Sequence, residues 1–325
     1  MNRFIATGML LAAVQCAHAA GSVPDSVLKD IHDGYFHRAL AALQPQAATH
    51  AQDAEFQYQL GTALLGTHSP DAALAAFKAA IAIAPNDGRY HRGLGEAYCD
   101  QAEKASMFKA FGLAKSCLAG FQDAVKLAPD DVDSRVSLAD YYMDAPGIAG
   151  GSMDKAHAEE AALDKLDKLQ ALQVRAQEAD QAKDYATAET LLNQAVAMDK
   201  TSDSLMALGL LYTGAKRYPD ALQAFSDATT KYPDAYLSWY QTGRVTGFAR
   251  SGYEAGVAAL KRYLAVDELP DTLPAKAWAH FRLGNLYEYQ GQKDLARAEY
   301  QAADSLHGDD DDLHKQVSKA LEGLR

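Results

Sequence analysis

The feature that most constrains this chain is an internal repeat of apolar and small residues at fixed spacing. A full copy has a Leu-Gly pair, a large apolar residue, an aromatic residue between two alanines, and a closing proline. The two best copies lie at Leu60, Gly61, Leu64, Ala73, Phe77, Ala80 and Pro85, and at Leu208, Gly209, Tyr212, Ala221, Phe225, Ala228 and Pro233. A third copy runs from Leu283 to Ala303, with Gly308 in place of the proline. A unit of this size cannot bury its apolar face alone, so the repeat predicts stacked copies that share one core.

The spacing within each copy is that of two helices joined by a turn. Leu60 and Leu64 lie at i and i+4, which places both side chains on one helix face. We expect the glycine beside Leu60 to let the second helix approach closely, against the small residue twelve positions later. The proline at the end of the copy stops the second helix and turns the chain into the next unit.

This pattern resembles the tetratricopeptide repeat (TPR) family, whose unit is a helix-turn-helix of about 34 residues. The resemblance implies an all-α, right-handed superhelical solenoid over residues 20–325, with a C-terminal capping helix and with its first helices lining a concave groove. Weaker copies extend it over nearly all of the chain. The approximate units are 20–53, 54–87, 88–131, 132–168, 169–201, 202–235, 236–269 and 277–310, followed by the cap at 311–325.

The first residues have the order of a signal peptide. A basic start at Arg3 precedes an apolar stretch from Phe4 to Val14, and Ala17-His18-Ala19 matches an Ala-x-Ala cleavage site. We expect residues 1–19 to be removed and the mature protein to be periplasmic or secreted. A lipoprotein anchor at Cys16 is the alternative, although Gln15 fits that site poorly. No later apolar run is long enough to cross a bilayer.

Composition excludes several classes of protein. Hydrophobic residues make up 48% and charged residues 23%, which is ordinary for a globular chain and excludes intrinsic disorder. The formal net charge of −12 argues against nucleic-acid partners, because an acidic surface repels phosphate. Three cysteines are too few for a disulfide-dense scaffold.

Two cysteines, Cys99 and Cys117, remain after cleavage and flank an insertion of about ten residues within one repeat. In an oxidising compartment a disulfide would clamp that insertion. Two separate buried thiols are equally compatible with the sequence, because Cys117 stands where the repeat carries a small packed residue.

A Gly-rich segment at 145–152 departs from the repeat and leads into a helix. It lacks the Gly-Lys-Ser/Thr ending of a phosphate-binding P-loop. The simpler interpretation is an irregular turn, with Ser152 capping the next helix and Asp154 in its first turn. As an alternative function, this loop with Asp140, Asp144 and His157 would form a small-ligand or enzyme site.

Other combinations of reactive residues are weak. Three Ser-x-x-Lys pairs occur without the companion motifs of penicillin-recognising enzymes. His157 and Glu160, at i and i+3, offer two metal ligands but no third is apparent in the sequence. The acidic run 309–312 favours the start of the last helix. We therefore predict no catalytic residue, no metal and no cofactor.

The TPR resemblance directs attention to first-helix positions that face the groove in that family. In the last two units these positions give an aromatic patch that contains an arginine and an asparagine, residue types that anchor interfaces. The predicted partner-binding residues are Tyr240, Arg244, Phe248, Trp278, Phe281, Asn285 and Tyr289. Packing of these aromatics between repeats is the alternative.

Earlier units give a groove with a different lining. Tyr58, Arg89, Arg92 and Glu96 form a mixed stretch, and an acidic stretch follows at Asp133, Asp140, Asp144 and Asp180. Such a groove suits a basic or amphipathic segment of a partner protein. We therefore expect a non-catalytic scaffold for envelope assembly, secretion or export. Self-assembly into a structural protein is a further alternative, and the sequence leaves the oligomeric state open.

Overall fold

The computed structural model describes residues 22–308 and 310–324, so the predicted signal peptide at 1–19 lies outside the described residues. The described part of the chain consists of α-helices with two short 3-10 turns and contains no strand. The helices are α1 (Asp25–His32), α2 (Phe36–Leu43), α3 (Ala54–Gly66), α4 (Pro70–Ile83), α5 (Gly88–Lys104), α6 (Met107–Leu127), α7 (Val132–Asp144), α8 (Met153–Leu166), α9 (Lys168–Gln181), α10 (Tyr185–Met198), α11 (Asp203–Gly214), α12 (Tyr218–Lys231), α13 (Tyr236–Ala249), α14 (Tyr253–Leu264), α15 (Lys276–Tyr289), α16 (Lys293–Leu306) and α17 (Asp311–Gly323). The predicted all-α superhelical solenoid is confirmed.

Many helix starts are fixed by an aspartate at the N-cap. The Asp53 carboxylate accepts the Phe56 N–H at 3.0 Å, and Asp131 accepts the Ser134 N–H at 2.9 Å. Each carboxylate satisfies a backbone donor that has no partner inside the helix and favours the positive end of the helix dipole. Repeated caps of this kind set where each hairpin begins.

Consecutive helices pair into antiparallel hairpins, and the hairpins stack. Within each of the eight hairpins the first helix packs on the second, and the second then packs on the first helix of the next hairpin. First helices also contact each other across the stack, as α5 does with α7 and α7 with α9. The first helices therefore line one side of the stack as an inner wall, and the core runs as a chain of clusters between the two layers.

The repeated glycine allows an aromatic ring to approach the first helix. A Cβ added at Gly61 would lie 2.7 Å from the Phe77 ring, and one added at Gly209 would lie 2.3 Å from Phe225. The close neighbour is thus the ring sixteen positions later, and not the small residue twelve positions later as the sequence pattern suggested. The ring fills the space because the alanines on either side of it leave the second helix free to approach.

The third hairpin is longer than the others. Its helices α5 and α6 have 17 and 21 residues, whereas the second hairpin has helices of 13 and 14. A disulfide joins Cys99 and Cys117 across this hairpin, the pair for which the sequence allowed both states. The bond lies at the base of the extension, so the inserted residues project beyond a covalent cross-link.

The N-terminal hairpin touches the connection between α14 and α15. Arg38 forms a salt bridge with Glu268 at 2.9 Å, and the His37 imidazole lies 2.9 Å from the Asp271 carboxylate. The Asp271 N–H donates to the Gly34 carbonyl at 2.8 Å. The superhelix therefore completes a turn and closes on itself through this contact.

Candidate functional site

The inner wall forms a groove where α7, α9 and α11 lie side by side. It contains a cavity of about 400 Å³ with a mixed lining of amide, carboxylate and apolar groups. The lining residues are Val136, Asp140, Gln170, Gln173, Val174, Ala176, Gln177, Asp180, Leu192, Ala207, Leu210 and Leu211. Leu210 is 41% exposed within this lining, so the cavity offers an apolar surface beside its charges.

A row of glutamines on α9 holds the side chains of the groove in place. Gln177 donates to the Asp140 carboxylate at 3.3 Å, and Gln181 donates to Asp144 at 2.7 Å. Gln173 donates to the Ser204 hydroxyl at 3.1 Å on the opposite side. Because these glutamines are four residues apart, they share one face of α9 and connect it to both neighbouring first helices.

The electrostatic character of the groove is set by carboxylates. Burial, together with the nearby Asp144 charge, raises the pKa of Asp140 to about 6. Burial also raises the pKa of Asp180. A cationic group placed between them would relieve both effects, because it offsets the desolvation and the like-charge repulsion. Of the acidic stretch predicted at Asp133, Asp140, Asp144 and Asp180, Asp140 and Asp180 line this cavity, whereas Asp133 lies 3.6 Å from the Arg92 guanidinium.

The groove continues as a second cavity of about 400 Å³ between the third hairpin and the Gly-rich segment. Asp140 lines both cavities, and Asp144, Pro146 and Ala149 line the second. His157, the third polar group of the alternative ligand site, does not line this cavity and instead pairs with Glu178 at 2.9 Å. The three side chains of that alternative site therefore do not converge in this cavity.

The Gly-rich segment is a packed turn. Gly150 has a φ of +104°, and a Cβ added at Gly151 would lie 1.7 Å from the Ala145 carbonyl oxygen. Ser152 accepts the Lys155 N–H at 3.4 Å at the start of α8, and Asp154 is in the first turn, as predicted. Backbone geometry thus explains Gly150 and Gly151, while a side chain at Gly147 would meet open space.

Two residues of the predicted aromatic patch belong to the core. Tyr240 is 5% exposed and lies against the Tyr263 ring, and Phe281 is 6% exposed and lies against Tyr300. The assignment of Tyr240 and Phe281 to the groove surface is therefore wrong. Each ring is covered by an aromatic residue of the second helix in its own hairpin.

Trp278 and Asn285 are half-buried and already have partners. The Trp278 indole N–H donates to Asp310 at 2.9 Å, which ties α15 to the capping helix. The Asn285 side-chain oxygen accepts the Tyr300 hydroxyl at 2.7 Å. Both side chains join helices within the C-terminal part of the stack.

The remaining three residues of the patch keep accessible surface at the other end of α13 and α15. Phe248 and Tyr289 are 45% and 41% exposed. The Arg244 guanidinium lies 5.2 Å from the Phe248 ring centre and donates to Gln241 at 3.1 Å. The seven predicted residues thus do not form one patch, because Trp278 and Tyr289 stand at opposite ends of the same helix.

The acidic run before α17 starts that helix, as predicted. The Asp310 carboxylate accepts the Leu313 N–H at 2.9 Å, and Asp311 and Asp312 are in the first turn. Asp309 lies outside the described residues.

Beyond the disulfide, the tip of the third hairpin carries large apolar side chains in the open. Met107 is 86% exposed and Phe108 is 96% exposed. Among the described helices, none is both long and apolar enough to span a membrane.

The row of glutamines is the feature of the candidate groove that the sequence did not single out. Gln173, Gln177 and Gln181 recur every fourth residue along a first helix, and that spacing is visible in the sequence. The match of this unit to the repeat is degenerate, so the sequence indicates Asp180 as a groove residue but not the three glutamines.

Comparison with known proteins gives the same architecture. One tetratricopeptide repeat model matches residues 33–88, 58–103 and 174–236, and a second matches 279–309, so that together they cover about half of the chain. A sequence comparison with curated proteins gave no significant match.

Solved structures agree in fold at low sequence identity. Yeast Tom70 is 14% identical, with a TM-score of 0.65 over 93% of this chain and 60% of its own. A human IFIT1 dimer with PPP-AAAA is 17% identical, with a TM-score of 0.56 over 92% of this chain and 72% of its own.

Proposed function

Because this chain belongs to the tetratricopeptide repeat family, we propose that it is a non-catalytic scaffold that binds a basic or amphipathic segment of a partner protein in its groove. Proteins of this family generally bind other proteins. The binding region is the cavity between α7, α9 and α11. The observation that carries the proposal is that a carboxylate, Asp140, and an exposed apolar side chain, Leu210, line the same cavity.

The chemistry of the groove selects the partner. An amphipathic helix with lysine or arginine on one side would place its cations near Asp140 and Asp180 and its apolar side against Leu210. The row of glutamines adds donors and acceptors for polar side chains or exposed backbone of the partner. An acidic segment would meet like charges and be rejected.

The compartment proposed for this scaffold is the periplasm, in envelope assembly, secretion or export. The signal-peptide pattern at 1–19 supports export, and the Cys99–Cys117 disulfide is typical of an oxidising compartment. The mass of the protein isolated from the envelope fraction tests this part. A chain that starts at Ala20 agrees with it, and a cytoplasmic chain that still starts at Met1 contradicts it.

The groove is tested with two fluorescent peptides measured by anisotropy, a lysine-rich amphipathic helix and the same peptide with glutamate at the lysine positions. We expect the basic peptide to bind and the acidic one not to bind. Asp140→Asn with Asp144→Asn should weaken binding about fivefold to tenfold, equivalent to roughly 1 kcal/mol for one half-buried and one exposed charge. Higher salt should reduce the difference between the variant and the parent protein.

A matched control removes the same charge elsewhere. Asp123 on α6 and Asp227 on α12 lie exposed on second helices, and Asp123→Asn with Asp227→Asn changes the net charge equally. This control should bind the basic peptide like the parent protein. Equal losses in both double variants would mean that the peptide responds only to net charge, and the groove would not be its site.

A further inference from the structure

A cluster of metal-ligating side chains lies on the α8–α9 pair, apart from the groove cavities described above. His157 and Glu160 are one turn apart on α8, and Glu178 on α9 is the third member that the sequence did not reveal. One ligand atom from each of the three side chains lies within 4.8 Å of the others. The His157 Nε2 is 2.9 Å from the Glu178 carboxylate.

Glu160 is buried without sufficient partners. It is 5% exposed, and its Oε1 has no hydrogen-bond partner. Its Oε2 lies 3.6 Å from the Arg175 Nε, which is beyond hydrogen-bond distance, while Arg175 donates to Asp164 at 3.1 Å. A buried carboxylate oxygen with no partner is costly, and such an atom requires a specific explanation.

The second carboxylate increases this cost. Burial and the neighbouring Glu178 charge both raise the pKa of Glu160. The Glu178 contact raises the pKa of His157, and Arg175 is a second nearby cation. Neither side chain donates to the buried Oε1 of Glu160, so that oxygen is left for a further cation.

We propose that His157, Glu160 and Glu178 bind a divalent transition-metal ion, with zinc as the best match. One imidazole nitrogen and two carboxylate oxygens form a three-ligand zinc set whose fourth position is open to water. Calcium and magnesium prefer sites made only of oxygen, so the histidine selects against them. His157 and Glu178 retain accessible surface, which gives the ion a path to the buried Glu160 oxygen.

A metal at this position would join two stacked units. Helix α8 is the second helix of the fourth hairpin, and α9 is the first helix of the fifth. In a repeat array, stability depends on the interfaces between neighbours, so an ion that bridges one interface strengthens the array at that point. The hairpin fixed in this way is the one that contains the Gly-rich turn.

The test adds zinc to metal-free, tag-free protein and measures heat of binding and thermal unfolding. We expect one zinc per chain and a rise in unfolding temperature with zinc concentration. Glu160→Gln and His157→Gln should each weaken zinc binding at least about tenfold. Without zinc, Glu160→Gln should be no less stable than the parent protein, because the variant removes a buried charge.

The control addresses a second group of ligating side chains at the C-terminal end. Asp304, His307 and His314 also lie within 4.8 Å of one another, but none of them is fully buried. His314→Gln should leave the zinc affinity unchanged. The proposal is overturned if the parent protein does not bind zinc, or if His314→Gln abolishes binding while Glu160→Gln and His157→Gln retain it.

Discussion

The close approach of paired helices can be tested with two glycines on one helix. Gly243 and Gly247 both lie inside α13, four residues apart. A Cβ added at Gly243 would lie 2.2 Å from the Leu260 Cγ, whereas one added at Gly247 would lie 3.7 Å from its nearest neighbour, Leu286. The two glycine-to-alanine substitutions thus change helix propensity alike, but only the one at position 243 forces a packing clash.

The magnitudes follow from these distances. Replacing glycine with alanine inside a helix stabilises it by about 1 kcal/mol. At Gly243 the added methyl group displaces Leu260, which is fully buried, and overpacking of this kind costs about 3 kcal/mol at the upper end of its usual range. Gly243→Ala should therefore lower the free energy of unfolding by about 2 kcal/mol, and Gly247→Ala should raise it by about 1 kcal/mol.

Urea unfolding followed by circular dichroism at the helix band measures the difference. Because repeat arrays can unfold in parts, the midpoints of the variants are compared rather than extrapolated free energies. The two midpoints should move in opposite directions from that of the parent protein. A shift of both in the same direction, or a stabilised Gly243→Ala variant, would show that close packing is not what requires glycine there.

Three further predictions concern other parts of the fold. Burial raises the native pKa of Asp140 to about 6, so its ionised form destabilises the fold above that pH. Asp140→Asn should therefore raise the melting temperature at pH 7.5. This gain in melting temperature should shrink as the pH falls from 6 towards 4. An equal gain in melting temperature at pH 7.5 and at pH 4 would show that the buried charge of Asp140 is not its cause. Cys117→Ser removes the disulfide to Cys99 and should lower stability by about 3 kcal/mol, measured by urea unfolding with the reduced parent protein as control. Asp271→Ala removes the carboxylate that faces His37. We expect faster amide hydrogen exchange in residues 25–43 and no change in residues 168–181. Unchanged exchange in both segments would mean that the N-terminal contact does not depend on this carboxylate.

The sequence alone determined the architecture because the repeat encodes local and nearest-neighbour contacts. The spacing from Gly61 to Phe77 recurs from Gly209 to Phe225, and each pair packs within a single hairpin. Capping was also readable, since Ser152 stands directly before the helix that it caps. Features of this kind depend on residues close together in the chain, so periodicity and residue type suffice.

The functional residues depended more on the tertiary structure. Whether Tyr240 faces the groove or the core depends on the Tyr263 ring, which lies on the second helix and covers it. The groove required the lateral contact of α7 with α9, which brings Gln177 to Asp140 although 37 residues separate them. A family register names candidate positions, but which of them stay accessible depends on the neighbouring side chains.

Sequence pattern does not predict the closure of the superhelix or the cluster of metal-ligating side chains. Glu178 joins His157 only because α8 and α9 pack across a repeat boundary. Arg38 reaches Glu268, 230 residues away, because small rotations between successive hairpins add up to a full turn. The sequence determined the units and their order, and the summed geometry of their stacking decided which distant side chains meet.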